Sequence, residues 1–400
     1  LTDLILDISR LISRVRHVTP SGVDRVEMAY ARGLLAHYGE ELSFAAVHPV
    51  GAYGRLQRAA ALAYLDELER RWAEDHESAR QRSLISVLPW LRALRPVRPD
   101  PAPDGAGGVY VQVSPHHLTR TEQVRRILSR ERTRLLALVH DLIPIEFPEY
   151  ARPGGAALHA RRMTTLARHA DAVIANSAAT GASFARWTEQ QGKAVPPIHV
   201  ALLGTEPVAQ APAHTFADAR PYFLCLGTIE PRKNHLLLLH LWRQMAETLP
   251  AEQVPRLVVV GRRGWENEQI LDLLERCDAL KHHVTEINGC PDSELAALLR
   301  GARALLMPSF AEGYGMPIAE ALSVGMPVLA SDIAAHREVG GPVPDYRDPL
   351  DGPGWCAAIL DYAASGERYQ AQMQRLPDWH APDWSAHMEI ARRAIESLRS

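Results

Sequence analysis

The stretch FAEGYGMPIAEAL, residues 310–322, sets two carboxylates, Glu312 and Glu320, eight positions apart around a glycine-rich turn. A helix starting at Glu312 would put both on one face, two turns apart. Gly313, Gly315 and Pro317 argue for another layout. Glu312 lies in a loop, Pro317 occupies the first helical turn where its missing N–H costs nothing, and Glu320 sits about one turn into the helix. Such a layout suits a ligand held across a helix N-terminus, with a carboxylate at each end and backbone N–H groups between. A solvated loop before a surface helix is the plainer alternative. In LGTIEPRKNHLLLL, residues 226–239, Gly227 closes an apolar run, Arg232 and Lys233 follow, and Asn234 is placed to cap the next helix. Two cations beside a helix N-terminus favour a diphosphate, because fixed charge and helix dipole act in the same direction. VVVGRRGWE (258–266) stops at Gly261 and adds Arg262 and Arg263; INGCPDSEL (287–295) stops at Gly289, with Asp292 as the expected cap. A nucleobase would lie over backbone near Gly289 and Cys290, although tight turns explain that stretch equally well.

These loops need a scaffold that gathers strand ends on one edge, and the chain supplies its pattern. Short apolar runs alternate with helical periodicity: LILDI, LSFAAVHPV, GVYVQVS, LLALVHD, AVIANS and IHVALLG in the first half, then YFLCLG, RLVVVG, VTEING, ALLMPS and PVLAS. This is the rhythm of βαβ units and parallel sheets. Four hundred residues exceed what one core usually organises. The expected division is an N-terminal domain over 1–205, an Ala- and Pro-rich linker over 206–221, a C-terminal domain over 222–375 and a final helix over 376–400 returning to the first domain. Residues 55–107 read as an insertion, helical and charged up to about 83. Ligands of such doubly wound folds bind at the carboxyl ends of the strands, so the two sheets are expected to face a common cleft.

Composition excludes several classes. A formal net charge of −3 with 23% charged residues gives no bulk support for nucleic-acid binding. Cys225, Cys277, Cys290 and Cys356 show no CxxC spacing and read as reduced core residues of a cytoplasmic protein, neither zinc ligands nor disulfides. No apolar run reaches the roughly 18 residues of a membrane span, and LTDLILDISRL carries acids inside its apolar stretch, unlike a secretory signal. Asp-x-Asp is missing from the sequence, and the His116–His117 and His282–His283 pairs lack HExxH spacing and read as surface or packing residues. The expectation is a site with no metal and no cofactor, in which cationic side chains carry the charge.

EPRKN, VVVGRRGW, PSFAEGYGMPIAEALSVGMPVLASD and HREVGG, in that order, resemble the family 4 retaining glycosyltransferases of GT-B fold, whose mark is Glu-x7-Glu, here Glu312 and Glu320. The resemblance covers 220–341 and extends to VHDLIPIEFPEY and ANSAAT in the first half. It implies an α/β fold of two Rossmann-like domains facing a central cleft, and transfer of a hexose from a nucleotide diphosphate sugar. Arg232 and Lys233 would neutralise the diphosphate, Glu320 would accept from the ribose hydroxyls, and Glu312 would hold the donor sugar near the Tyr314, Gly315 and Met316 amides. Gly227, Gly289 and Cys290 would complete the donor site. His140, ending a strand in LVHDLIP with Asp141 beside it, would stand by the sugar and phosphate. Ser21 and Gly22, before an amphipathic helix, resemble the family's glycine-containing first loop, with one glycine where many relatives have two or three; Asp24 and Arg25 would reach the acceptor or pair on the helix. Because a second carboxylate at double-displacement spacing is not evident, the resemblance implies front-face transfer.

The donor expected first is GDP-mannose, on analogy, with a glycan or lipid-linked glycan acceptor in polysaccharide or lipopolysaccharide synthesis. A dTDP-rhamnose or UDP-sugar enzyme is the alternative, then a catalytically silent nucleotide-sugar-binding protein; a dinucleotide oxidoreductase lacks its GxGxxG. RQRSLISVLPWLRALRPVRP, residues 80–99, holds Arg80, Arg82, Arg92, Arg95 and Arg98 without an acid, among apolar residues including Trp90. It raises the expectation of a peripheral contact with an anionic inner membrane face, Trp90 suiting the headgroup boundary; apolar packing on the first domain with solvated arginines is the competing expectation.

Overall fold

The computed structural model describes residues 3–15, 20–48, 51–73, 88–99, 107–218 and 220–400. The chain forms two compact units, one of Leu1–Glu146, Pro153–Gly204 and Asp383–Ser400, the other of Phe147–Arg152 and Thr205–Pro382. Residues 147–152 joining the second unit was not foreseen.

In the first unit the strands are β1 (Leu4–Asp7), β2 (Leu42–Val47), β3 (Tyr53–Arg55), β4 (Gly108–Gln112), β5 (Thr133–Val139), β6 (Ala170–Ala175) and β7 (Ile198–Val200). They lie in the order β3-β2-β1-β4-β5-β6-β7, all parallel except β3, which runs antiparallel to β2. β1 and β4 are buried along their whole length, which is why they read as unbroken apolar runs with no alternation. The Trp384–Arg399 helix, capped by Asp383, belongs to this unit. His387 fixes it: Nδ1–H donates to the Ala201 and Leu202 carbonyls, so Nε2 accepts from the Tyr30 hydroxyl at 2.8 Å.

The second unit holds β8 (Tyr222–Leu226), β9 (Arg256–Val260), β10 (Val284–Ile287), β11 (Ala304–Met307), β12 (Val328–Ser331) and β13 (Asp345–Arg347), parallel throughout in the order β10-β9-β8-β11-β12-β13. Phe223, Leu257, Trp242, Trp355 and Ile359 pack one core, and each buried indole N–H finds a carbonyl, Pro255 for Trp242 and Asp348 for Trp355. Residues 206–217 run as irregular chain against this unit: His214 N donates to the Ala297 carbonyl and Phe216 packs edge-on against Tyr222.

One expectation needs correction, that all four cysteines are core residues, and two others are met in part by the described residues. The helix expected up to about 83 is described over Arg58–Ala73, and 74–87, with Arg80 and Arg82, lie outside the described residues. Trp90, on the Leu88–Ala93 helix and half-buried, packs on Tyr64 with ring centroids 5.5 Å apart; Leu94 is buried while Arg92, Arg95 and Arg98 are exposed. All four cysteines are free, but only Cys225 is buried.

Candidate functional site

In the second unit the register sets Leu226 beside Val260 and Val260 beside Ile287, so the loops opening at Gly227, Gly261 and Gly289 emerge along one edge. Gly227 and Gly261 are required there: a Cβ on Gly261 would stand 1.8 Å from the Gly227 carbonyl oxygen, and Gly227 itself has φ 135° with the Lys233 chain packed on it. The loop after β8 tightens into a 3-10 turn, Pro231–Lys233, and the Phe310 amide, after β11, donates to the Arg232 carbonyl at 2.8 Å. That bond draws the two sequence motifs together.

Their side chains meet at Glu312. Lys233 Nζ donates to Oε1 at 2.6 Å, Arg232 Nη1 to Oε2 at 2.6 Å, and Ser309 Oγ to Oε1 at 2.8 Å. Arg232 also reaches Glu230 through Nε at 2.5 Å. Burial alone would favour a protonated Glu312, but Arg232 and Lys233, with His336 behind them, hold its carboxyl well below the usual range. Burial pushes Glu230 up, Arg232 and Lys233 opposing. His336 is wholly buried, and burial takes its imidazole down to about 4 against the pull of Glu312. Its Nδ1–H donates to the Ser331 carbonyl at 3.0 Å, which makes Nε2 the lone-pair nitrogen, and the ring lies over Gly315. The four charges of Glu230, Arg232, Lys233 and Glu312 are formally neutral together when all are ionised. The cations read from the sequence as an anion site are thus mutually satisfied with carboxylates, and an incoming diphosphate would compete with Glu312 for them.

Pro317 stands in the first turn of the Met316–Ser323 helix, with Gly315 (φ 107°) before it, Tyr314 buried, and Glu320 half-buried on the helix. Gly289 has φ 79° after the edge strand β10, and Cys290 Sγ–H approaches the Pro291 carbonyl; burial and nearby Glu294 and Asp292 push its thiol up to about 12, so it offers no thiolate. Asn234 does not cap its helix: it adopts a left-handed conformation and its amide donates to the Pro308 and Pro349 carbonyls, tying three loops. Asp292 is not a cap either, since Pro291 holds that position and Asp292 begins the helix. Arg263 is bound to Glu275 and Glu286. Sequence reading missed Glu230, Ser309 and His336; the first two lie two and three residues before cluster members, whereas His336 had no signal beyond its place in HREVGG.

The first unit gathers a different set on its own strand ends. His140 follows β5; its Nε2–H donates to the Val113 carbonyl at 2.8 Å, leaving Nδ1 as the acceptor, and burial lowers its pKa. Gly22 is the first residue of the Gly22–Tyr38 helix, and Ser21 and Asp24 form a capping box. Asp24 is paired with Arg10 and Arg14. Asp7, at the end of β1, accepts from Tyr110 and faces His117 at 3.6 Å, so the histidine pair taken for surface or packing residues includes a partner of a buried acid. Glu27 is wholly buried; burial first, then Asp7, push it up to about 8, and burial takes His116 down to about 4.

Known proteins share this architecture. A sucrose-phosphate synthase from Thermosynechococcus elongatus aligns over 100% of this chain and 99% of its own with a TM-score of 0.63 at 17% identity, and Anabaena HepE, solved with UDP, over 100% of both at 0.58 and 16%. The fold is therefore GT-B. Within it, residues 209–342, which carry the whole Glu312 cluster, match the family described as Glycosyl transferases group 1. O-antigen chain mannosyltransferase B of Escherichia coli is 39% identical over 141 residues, 35% of this chain and 36% of that protein; the serotype-specific mannosyltransferase WbdA of Escherichia coli is 28% identical over 221 residues, 50% and 26%. The chain spans about a quarter to a third of the length of these relatives. No described helix is long and apolar enough to cross a membrane, and no three His, Cys, Asp or Glu side chains among the described residues are grouped as a metal site.

Proposed function

We propose that this protein is a retaining, metal-independent glycosyltransferase that moves a hexose, mannose from GDP-mannose in the first place, to a glycan or lipid-linked glycan acceptor in polysaccharide biosynthesis. The observation that carries the reading is the convergence of Arg232 and Lys233 on buried Glu312 inside the matched segment. The mannosyltransferase relatives support the choice of sugar. The acceptor oxygen bonds to the anomeric carbon on the face from which the phosphate departs, the acceptor proton passes to the leaving phosphate oxygen, and the nucleoside diphosphate leaves. Lys233 and Arg232 stabilise the charge that grows on that phosphate. Glu312, ionised and aimed by Ser309, accepts from the sugar hydroxyls, and Glu320 from the ribose. Gly227, Gly289, Cys290, Tyr314, Gly315 and Met316 line the donor side, and the assignment of Gly22 and His140, both in the first unit, to the phosphate and sugar rests on the family resemblance alone.

Thermal shift against GDP-, UDP-, dTDP- and ADP-sugars tests this directly. A ligand at a hundred times its dissociation constant adds about 2.7 kcal/mol of stability. GDP-mannose is expected to give the largest shift, transfer is expected to survive excess EDTA, and the product's anomeric configuration, by NMR, is expected to match the donor's. Absence of a shift with all four donors, or loss of transfer in EDTA restored by Mg²⁺, overturns the reading.

A further inference from the structure

We infer that the second unit carries a subsite for a neutral saccharide unit of the acceptor, in a cavity of about 450 Å³ behind the Pro231–Lys233 turn. The inference rests on the glycosyltransferase reading for the word acceptor; the chemistry rests on the lining. Tyr150 and Phe310 supply aromatic surface, their rings nearly parallel at 10° with centroids 5.6 Å apart and Phe147 stacked on the far end. Such faces match the C–H surface of a pyranose. Around them stand Glu149, Glu266 and Glu268, all exposed, with no ion pair among the described residues, and no Lys or Arg lines the cavity. Carboxylates accept from sugar hydroxyls, and without a cation the site repels phosphorylated or acidic ligands.

His235 lines the cavity but is 1% exposed, its ring nitrogens out of reach of solvent and its imidazole set against the Glu230 backbone. Burial keeps it neutral at physiological pH, its pKa being near 4. Glu266 holds φ 48°, a conformation disfavoured for any residue but glycine or asparagine, and its neighbours pin it: Asn267 donates to the Ile229 carbonyl and Trp265 to the Tyr150 carbonyl. The cavity shares its walls with the charge cluster, since Pro231 and Asn234 flank Arg232 and Lys233 in sequence and Phe310 is bonded to Arg232. An occupant there would lie against the loops that hold the donor site.

The test is saturation-transfer NMR with mannobiose on the full chain without donor, with choline and inorganic phosphate as competing probes. Wild type is expected to transfer saturation to mannobiose and to neither competitor. Glu268→Lys and Tyr150→Leu, which leave the Tyr150 carbonyl and the Glu312 cluster untouched, are each expected to weaken mannobiose binding about tenfold or more, a change of about 1.4 kcal/mol. Their GDP-mannose thermal shifts are expected to match wild type, which also reports that they fold. Undiminished mannobiose binding in both variants, no mannobiose binding by wild type, or binding of choline or phosphate in its place overturns the subsite. Because donor binding is read separately, failure of all nucleotide sugars with mannobiose binding intact would instead overturn the transferase reading.

Discussion

Both units bury ionisable side chains near the carboxyl ends of their strands, and they resolve that burial in opposite ways. At the second unit's edge, Glu312 is nearly inaccessible yet stays ionised because Arg232 and Lys233 touch both its oxygens. In the first unit, burial and Asp7 outweigh the opposing pull of Ser114, Arg10 and the Leu11 amide on Glu27, and desolvation neutralises it; His116, His117 and His140 are neutralised by the same force acting on the opposite charge type. The second unit's edge holds its full charges paired with one another. The other keeps one ionised group, Asp24 with Arg10 and Arg14, beside Glu27 and three histidines that burial leaves neutral.

Breaking the pairs is the most direct way to test that contrast. Glu312→Gln is expected to abolish transfer in a folded protein, and, by leaving two cations without their buried partner, to lower stability by about 3–5 kcal/mol at most; transfer near the wild-type rate would show that the cluster is structural. Lys233→Ala is expected to cost about 10²–10³ in turnover with a smaller loss of donor affinity, because its contact with the phosphate strengthens as the bond breaks. A change in donor affinity alone, measured by single-turnover kinetics beside titration, would remove Lys233 from the transition state. Glu320→Gln is expected to weaken nucleotide binding about tenfold with turnover nearly kept, as fits one lost hydrogen bond to a charged group. Equal defects in Glu312→Gln and Glu320→Gln would merge the two roles into one.

The contrast was half legible beforehand. Strands such as RLVVVG and LLALVHD announced themselves because parallel strands covered on both faces are apolar throughout. YGR and DYR, which form β3 and β13, are three-residue edge strands of mixed polarity, and nothing local separates them from loops. Arg232, Lys233 and Glu312 were visible as chemistry through their spacing against Gly and Pro. Their mutual pairing was not, because it depends on the Phe310–Arg232 backbone bond between segments some eighty residues apart. Asn234 was misread for the same reason: Asn before a helix is ordinarily a cap, and only the neighbouring Pro308 and Pro349 carbonyls redirect its amide. Asp7 and Glu27 were in plain sight, the former inside LILDI, but an acid in an apolar run reveals burial only once both faces of the strand are known to be covered.

Glu27 gives the finest test, in the pH dependence of stability. Its pKa is about 8 in the folded protein and near the ordinary 4.5 when unfolded, so between these values the native state holds a proton that the unfolded state has released. Stability is full below 4.5, falls as pH rises through the window, and is lowest above 8, with a slope of up to about 1.4 kcal/mol per pH unit. The buried histidines act with the opposite sign: His116, His235 and His336, lowered to about 4, bind a proton on unfolding and add stability as pH rises from 4 to 6.5. The two effects oppose one another on the acid side, which leaves pH 6.5–8 as the window where Glu27 acts without them. Urea titrations across that window are expected to show falling stability in wild type and a flatter profile in Glu27→Gln, whose uncharged amide has no proton to lose. Arg10 works against burial and Asp7 with it, so Asp7→Asn is expected to reduce the wild-type slope by lowering the Glu27 pKa. A wild-type profile as flat as that of Glu27→Gln would mean that Glu27 is ionised in the folded chain, and that the first unit's edge compensates its charges as the second unit's does.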